Sequence, residues 1–325
     1  MSDPRTIDPY QILKIAQNDD GTITRLYKFP ESPAAPDHHP THVSSGAPIV
    51  LSKDIILDQS KSTWFRVYIP RSALDNNLRL PVVIYFHGGG FILCSAAYTL
   101  PHNYVFNLAA EIPAIVVSVN YRLAPEHRLP AAYEDAMDAL YCIRTSEDDW
   151  LRNHADLSNC FLMGESAGGS IAYHTGLRAA TEAQSLRPIR IRGLILHQPF
   201  FGGVQRCGSE LRLVNDAILP PCVTDLLWEL ALPLGADRDH EYSNPTVDGG
   251  SKALKIIKSL EWKVMVTGWD GDPLYDRQIE LGKLLEKMGI KVEHHFGVGG
   301  CHGIEMVDSS KAKLLNLAIQ NFMCS

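Results

Sequence analysis

Hydrophobic residues along the chain fall into short continuous runs, separated by stretches in which apolar positions recur every three or four residues. The runs with the length and composition of strands are 63–70, 80–88, 114–122, 159–165, 191–201, 262–270 and 292–298. Several are continuously apolar rather than alternating, which is typical of parallel strands covered by helices on both faces. Helices are predicted between them, among others at 131–144, 171–182 and 279–288. This alternation predicts an α/β fold with a doubly wound sheet.

Two segments interrupt the alternation. Residues 32–48 are rich in Pro, Ser and His, which predicts an irregular connection between an N-terminal arm and the main body. His38, His39 and His42 lie close together there, but a solvated loop is a better interpretation than a metal site because a proline interrupts the group. Residues 202–244 are too many for an ordinary crossover helix, and we expect an inserted helical cap.

Composition narrows the class of partner. The chain has 325 residues, 45% of them hydrophobic, and a formal charge of −7 without a long basic run. This argues against nucleic acid or an anionic membrane surface as a partner and favours a small molecule. The N-terminus lacks the pattern of a secretory signal, and no apolar run is long enough to span a membrane. The seven cysteines lack paired or zinc-type spacing, so we expect mostly buried, reduced thiols and a cytoplasmic location, with the nucleus as a further compartment.

A candidate nucleophile lies where a predicted strand meets a predicted helix. The run "CFLMGESAGGSIAYH" places Ser166 in a Gly-x-Ser-x-Gly sequence, directly after apolar residues and directly before a helical pattern. Gly164 and Gly168 would let strand and helix approach closely while the serine occupies a sharp, exposed turn. The helix N-terminus also favours negative charge nearby. This context favours a nucleophile elbow over an ordinary strand-to-helix turn.

A nucleophilic serine needs a histidine base and an acid that orients the histidine. Hydrolases with such an elbow carry them in the chain order Ser, Asp, His. His302 lies in the glycine-flanked loop "GVGGCHGIEM", where a side chain can be aimed freely. His174 lies on the helix after the serine, and His197, His294 and His295 lie in predicted strands. His302 is therefore the predicted base.

Three carboxylates in "GWDGDPLYDRQ" are candidates for the acid. Asp270 is predicted at a strand end, and Asp276 one turn into a helix. Asp272 precedes Pro273 in a loop that starts this helix, which is the best placement for a side chain that must reach a site. A role as helix N-cap would also explain it.

An oxyanion requires backbone N–H donors that no side chain obstructs. The run "FHGGGF" follows a predicted strand and supplies such a glycine loop, and Ala167 after the serine supplies a further N–H. Phosphate binding is the rival interpretation of the three glycines. The run lacks the Lys-Ser/Thr ending of a P-loop and the spacing of a dinucleotide site, which disfavours that alternative.

Together these motifs resemble the plant carboxylesterases of the hormone-sensitive-lipase-like branch of the α/β hydrolases. The resemblance is carried by "HGGGF", "VNYRLAPEHRLPAAYEDA", "GESAGG", "GDPLYDR" and "GGCHG" in this order, from about residue 48 to the C-terminus, and it extends to the arm with "DDGTITR". It implies a single α/β-hydrolase domain over 1–325 with a mostly parallel central sheet of about eight strands. Cap elements at about 1–47 and about 202–244 would lie over an apolar pocket.

The resemblance also implies site residues. The catalytic triad would be Ser166, Asp272 and His302, and an oxyanion hole would be formed by Gly88, Gly89 and Ala167. The implied function is a serine carboxylesterase that hydrolyses small esters, with a short acyl chain or a specialised metabolite as substrate, through an acyl-enzyme and without a cofactor. Ser170 stands where the family pattern leads us to expect asparagine, which puts hydrogen bonding near the site and substrate choice in question.

Similar proteins have other functions, because the fold does not determine function. The 2-hydroxyisoflavanone dehydratases and alkaloid cyclases resemble this chain and use the pocket for elimination or ring closure, which the sequence leaves open. Plant gibberellin receptors resemble it as non-catalytic hormone receptors but lack the catalytic histidine, so His302 argues against that alternative. Oligomeric state is not indicated.

Overall fold

The computed structural model describes residues 8–36 and 49–325. His38, His39 and His42 lie outside the described residues. The strands are β1 (Ile15–Gln17), β2 (Ile23–Arg25), β3 (Val50–Asp58), β4 (Thr63–Pro70), β5 (Leu80–Phe86), β6 (Ile115–Asn120), β7 (Ala155–Glu165), β8 (Ile191–His197), β9 (Lys263–Gly271) and β10 (Val292–Cys301). The α-helices are α1 (Pro9–Leu13), α2 (Arg71–Asp75), α3 (Thr99–Glu111), α4 (Ala131–Arg144), α5 (Asp149–His154), α6 (Ala167–Thr181), α7 (Gly208–Arg212), α8 (Pro221–Ala231), α9 (Leu254–Ser259), α10 (Tyr275–Lys287) and α11 (Ser309–Cys324).

Eight strands form one sheet in the order β10-β9-β8-β7-β5-β6-β4-β3. The six strands from β10 to β6 in this order are parallel to one another, and β4 is antiparallel to both β6 and β3. The predicted α/β-hydrolase fold, with a mostly parallel sheet of about eight strands, is therefore confirmed. In such a sheet the loops after parallel strands meet at one edge, where ligands bind.

The two faces of the sheet pack against different sides of the core. In β5, Val82, Ile84 and Phe86 face one hydrophobic cluster, whereas Val83 and Tyr85 face the other, and all five are fully buried. This explains why the strand is continuously apolar: neither face contacts water.

Differences from the predicted elements have local causes. The helix predicted at 131–144 is α4, with the same ends. Helix α6 begins at Ala167, four residues before the predicted start, because the glycines that suggested a turn form its first turn. Strand β3 was not predicted, since its outer half alternates between half-buried and exposed residues at the sheet edge.

The arm and the insertion are close to each other. The arm contains α1 and the antiparallel β1–β2 hairpin, and the insertion at 202–244 contains α7 and α8. Helix α1 packs against α8. Within residues 8–36 and 49–325, no helix is long and apolar enough to cross a membrane.

The cysteines carry free thiols, but the prediction that most are buried is wrong. Cys160 and Cys207 are buried, Cys324 is exposed, and the remaining four are half-buried. Apolar neighbours in sequence did not imply burial, because several of these cysteines lie at element ends.

Candidate active site

Ser166 lies at a sharp turn between β7 and α6, with φ at +54° and ψ at −122°. A positive φ strains a serine backbone, and such strain persists where the surrounding structure enforces it. A side-chain carbon on Gly168 would lie 1.9 Å from the carbonyl oxygen of Phe86, and one on Gly164 would lie 2.0 Å from the carbonyl oxygen of Gly168. Both positions therefore require glycine, and the strand, turn and helix have the arrangement of a nucleophile elbow.

The three residues predicted as a triad are brought together from three loops. His302 Nε2 lies 2.9 Å from Ser166 Oγ, and His302 Nδ1 lies 2.8 Å from Asp272 Oδ2. Ser166 follows β7, Asp272 follows β9 and His302 follows β10 directly. The side chains form one continuous hydrogen-bonded chain from hydroxyl to imidazole to carboxylate.

The rival carboxylates bond elsewhere. Asp270 Oδ1 accepts a hydrogen bond from Gly299 N at 2.8 Å, and Asp276 Oδ2 accepts one from Ser209 N at 2.7 Å. Asp276 therefore links α10 to the insertion, and Asp270, near the end of β9, links this strand to β10. Asp272 alone of the three contacts His302 among the described residues, and it is fully buried.

The rejected histidines have structural surroundings. His174 stacks on Tyr133 at 4.6 Å between ring centres, away from Ser166. His294 is exposed and pairs with Glu286 at 2.9 Å. Neither contacts the serine hydroxyl.

The glycine loop, residues 87–91, lies against the serine. A side-chain carbon on Gly88 would lie 3.2 Å from Ser166 Cβ. Gly89 has φ at +111°, and a side-chain carbon there would lie 2.2 Å from the carbonyl oxygen of Leu93. Ala167 is fully buried at the start of α6. Gly88 thus lies against the serine and Ala167 follows it in the chain, while Gly89 is packed against Leu93 in the same loop.

His87, the first residue of the glycine loop, fixes the start of this loop through its contacts with Tyr121. Its ring stacks on Tyr121 with 4.4 Å between ring centres, and Tyr121 Oη donates to the His87 carbonyl at 2.8 Å. Burial lowers the pKa of His87 to about 4, so the ring is neutral at neutral pH. A neutral ring adds no charge beside the serine.

Sequence reasoning missed the groups around Asp272. Gln198 and Gln278 donate to its Oδ2 at 2.9 and 2.8 Å, and Leu274 N donates to Oδ1 at 2.9 Å. The carboxylate therefore also holds the turn before α10, but the alternative role as helix N-cap is wrong, because the N-cap of α10 is Leu274. The available signal for Gln198 was its position directly after β8, at the same sheet edge as the serine.

A second buried ionic group was also missed. His197 Nε2 lies 3.1 Å from Glu305 Oε2, and Trp269 Nε1 donates to Glu305. Burial by itself would raise the pKa of Glu305, but the charge of His197 and these hydrogen bonds lower it to about 2. Burial raises the pKa of Glu165, beside the serine. The His197–Glu305 pair anchors the turn that follows His302 to strand β8.

The environment of His302 favours its protonated form. Burial by itself would lower the pKa of His302, but the charge of Asp272 and the hydrogen bond to it, with Glu165 and Glu305 farther away, raise the pKa above its usual value. An imidazole stabilised as a cation is suited to accept a proton from a hydroxyl.

A mostly apolar cavity of about 410 Å³ borders the site. Its lining includes Gly88, Glu165, Tyr98, Leu100 and Phe29. The arm therefore contributes directly to a cavity that reaches the glycine loop.

Arg25 attaches the arm beside this loop. Its Nε donates to the carbonyl of Ile92 at 2.7 Å, its Nη2 donates to that of Ala124 at 3.0 Å, and it pairs with Glu126 at 2.9 Å. Most of the guanidinium donors are satisfied, so Arg25 holds the arm in place.

Ser170 is fully buried, and its hydroxyl donates to the carbonyl of Phe200. It contacts none of the three predicted triad side chains. Within the described residues, no group of three or more His, Cys, Asp or Glu side chains could hold a metal ion.

The mostly parallel sheet, the nucleophile elbow and the Ser–His–Asp arrangement are together those of an α/β hydrolase. A family profile described as alpha/beta hydrolase fold matches residues 83–306. Carboxylesterase 20 of Arabidopsis thaliana is 52% identical, covering 100% of this chain and 99% of its own length. The 3-O-acetylpapaveroxine carboxylesterase CXE2 of Papaver somniferum is 42% identical, covering 97% and 99%. An esterase structure from Pyrobaculum calidifontis has a TM-score of 0.70 at 26% identity, covering 84% of this chain and 86% of its own.

The chain belongs to the α/β-hydrolase family, in its plant carboxylesterase branch, and is a carboxylic ester hydrolase. The family predicted from the five ordered motifs is confirmed.

Proposed function

We propose that the chain is a serine carboxylesterase with Ser166 as nucleophile, His302 as general base and acid, and Asp272 as the acid that orients the histidine. The observation that carries this proposal is the unbroken chain of hydrogen bonds, 2.9 Å from hydroxyl to imidazole and 2.8 Å from imidazole to carboxylate. The raised pKa of His302 supports the same roles.

In the first half-reaction, Ser166 Oγ attacks the ester carbonyl while its proton passes to His302 Nε2. The N–H groups of Gly88, Gly89 and Ala167 stabilise the oxyanion. The intermediate collapses, and the leaving alkoxide takes the proton from His302 as the acyl-enzyme forms. Water then attacks the acyl carbon with the same base, which releases the carboxylic acid and restores the serine. Throughout, Asp272 holds the Nδ1–H tautomer and stabilises the imidazolium. No cofactor takes part.

We propose a small acyl group on a larger alcohol as the substrate class, for example a short-chain ester of a specialised metabolite. A cavity of about 410 Å³ next to the glycine loop has room for such an alcohol. The name of the 3-O-acetylpapaveroxine carboxylesterase, 42% identical to this chain, describes such an ester.

In this proposal, residues 1–325 are one domain whose cap elements, about 1–47 and about 202–244, cover the cavity. The contact of α1 with α8 and the presence of Phe29 in the cavity lining support the cap. Absence of a nucleic-acid partner and a cytoplasmic location stay predictions from the sequence.

Turnover of p-nitrophenyl acetate tests the proposal. Wild-type protein should release a burst of p-nitrophenol equal to the enzyme concentration, and a serine-directed phosphonate should label Ser166. Ser166→Ala should abolish both, whereas Ser170→Ala, a buried serine one helical turn away, should keep both. Wild-type protein that neither hydrolyses simple esters nor reacts with the phosphonate would exclude this mechanism. Consumption of a pocket ligand without ester cleavage would then point to the elimination or cyclisation alternative.

A further inference from the structure

Gln198 lies where the nucleophile, acid and histidine loops come closest. It directly follows β8, is fully buried, and has a left-handed backbone with φ at +42°. Its backbone N–H donates to the carbonyl of Thr267 at 3.0 Å, and the carbonyl of the preceding His197 accepts from Ser166 N at 3.0 Å. Its backbone is thus held between the strand that carries the serine and the strand that leads to the acid. A strained, buried, polar residue in such a place requires a physical reason.

The side-chain amide of Gln198 makes three hydrogen bonds. Nε2 donates to Asp272 Oδ2 at 2.9 Å and to the carbonyl of Cys301 at 3.1 Å, and Oε1 accepts from Gly303 N at 2.8 Å. Cys301 and Gly303 are the two chain neighbours of His302. One amide therefore holds the acid and both sides of the histidine.

The chemistry of the partners determines the orientation of this amide. A carboxylate and a carbonyl can only accept hydrogen bonds, and a backbone N–H can only donate. A flipped amide would place an oxygen against two oxygens and an NH₂ against an N–H, which would leave all three contacts repulsive. Only glutamine, with donors and an acceptor at this length, satisfies all three groups.

We propose that Gln198 is a positioning residue that fixes the loop of His302 relative to Asp272, and so keeps the imidazole in line with the serine. The proposal rests on the proposed triad function. Loss of these hydrogen bonds would leave Asp272 buried but would free the histidine loop to move relative to it. Since a misplacement of ~1 Å can cost ~100-fold in rate, this movement should lower turnover.

Gln278 provides a matched control. It lies on α10, is fully buried like Gln198, and donates to the same Asp272 Oδ2 at 2.8 Å. Within residues 8–36 and 49–325, it makes no hydrogen bond to the histidine loop. Substitution of either glutamine removes one hydrogen-bond donor from the Asp272 carboxylate. Only substitution of Gln198 also removes the hydrogen bonds to Cys301 and Gly303 in the histidine loop.

The test compares Gln198→Leu and Gln278→Leu in the full chain with p-nitrophenyl acetate. A lost hydrogen bond to a charged group corresponds to ~10-fold to ~100-fold in rate. We expect Gln198→Leu to lower kcat by ~100-fold with KM within ~threefold, and Gln278→Leu to lower kcat by no more than ~10-fold. The low-field proton resonance of His302 Nδ1–H should broaden or vanish in Gln198→Leu and persist in Gln278→Leu. A purely structural role for Gln198 would lower thermal stability without this difference in resonance.

Gln198→Met replaces Gln198→Leu if the leucine variant does not fold, because methionine keeps the length and approximate volume of the side chain but offers no N–H donor and no amide acceptor to the three groups. A kcat within ~threefold of wild type, or equal losses in the two glutamine variants, would overturn the proposal. Failure of wild-type turnover and of Ser166 labelling would instead contradict the proposed function, and the proton resonance would still report whether Gln198 holds the Asp272–His302 contact.

Discussion

Helix α6 lies very close to the end of β5 and the start of the glycine loop. Gly168→Ala, which adds one methyl group at this contact, tests whether the close approach matters for activity. A side-chain carbon on Gly168 would lie 1.9 Å from the carbonyl oxygen of Phe86, whereas side-chain carbons are not found closer than 3.0 Å to such atoms. Gly168→Ala must therefore separate α6 from the end of β5 by about 1.1 Å. Ser166 and the Ala167 N–H lie at the start of α6, and β5 leads directly into the glycine loop, so this movement would widen the proposed oxyanion hole.

The expected cost follows from that distance. A displacement of ~1 Å between reacting groups costs on the order of 100-fold in rate. Overpacking destabilises by ~1–3 kcal/mol, offset by ~1 kcal/mol because alanine favours the helix. We therefore expect Gly168→Ala to fold with a moderately lower melting temperature and to lose ~100-fold in kcat/KM for p-nitrophenyl acetate.

Gly176→Ala is the matched control on the same helix. Its side-chain carbon would meet the end of the Leu194 side chain at 2.8 Å, and this flexible group can rotate aside. We expect kcat/KM of this control to stay within ~threefold of wild type, because the elbow does not move. A folded Gly168→Ala protein with wild-type kcat/KM would refute the argument that this contact sets the oxyanion geometry.

Two further predictions concern the acid and the arm. Asp272→Asn should lower kcat by ~10⁴-fold, whereas Asp270→Asn should leave kcat nearly unchanged. A larger loss in Asp270→Asn than in Asp272→Asn would assign the role of the triad acid to Asp270. Because the base must be neutral and the pKa of His302 is raised, kcat/KM should fall as pH drops through a value above 6.5, and Asp272→Asn should shift this limb to lower pH. Arg25→Met should release the arm and raise KM for bulky esters by ~10-fold while p-nitrophenyl acetate is hardly affected. Arg71→Met, which removes an exposed pair within one helix, is its control, and equal KM values in both variants would argue against the cap.

Much of the fold followed from the sequence because it depends on local patterns. Continuous apolar runs predicted the buried parallel strands, and glycines around a serine after such a run predicted a tight turn. The edge strand β3 was not predicted, because its alternation of half-buried and exposed residues is a weaker signal than a continuous apolar run. The start of α6 was misplaced because glycine normally disfavours helices, and here close packing against β5 outweighs that preference.

The apolar runs and the residues that follow them were enough to predict which side chains lie at the ends of parallel strands, and so that Ser166, Asp272 and His302 could meet. The folded chain shows in addition that the three lie within hydrogen-bond distance, that Asp270 and Asp276 bond elsewhere, and that Gln198 joins Asp272 to the histidine loop. These contacts span 29 to 136 positions along the chain. Contacts over such separations depend on the register of neighbouring strands and on the left-handed turns after them, and no local pattern of apolar and polar residues encodes either.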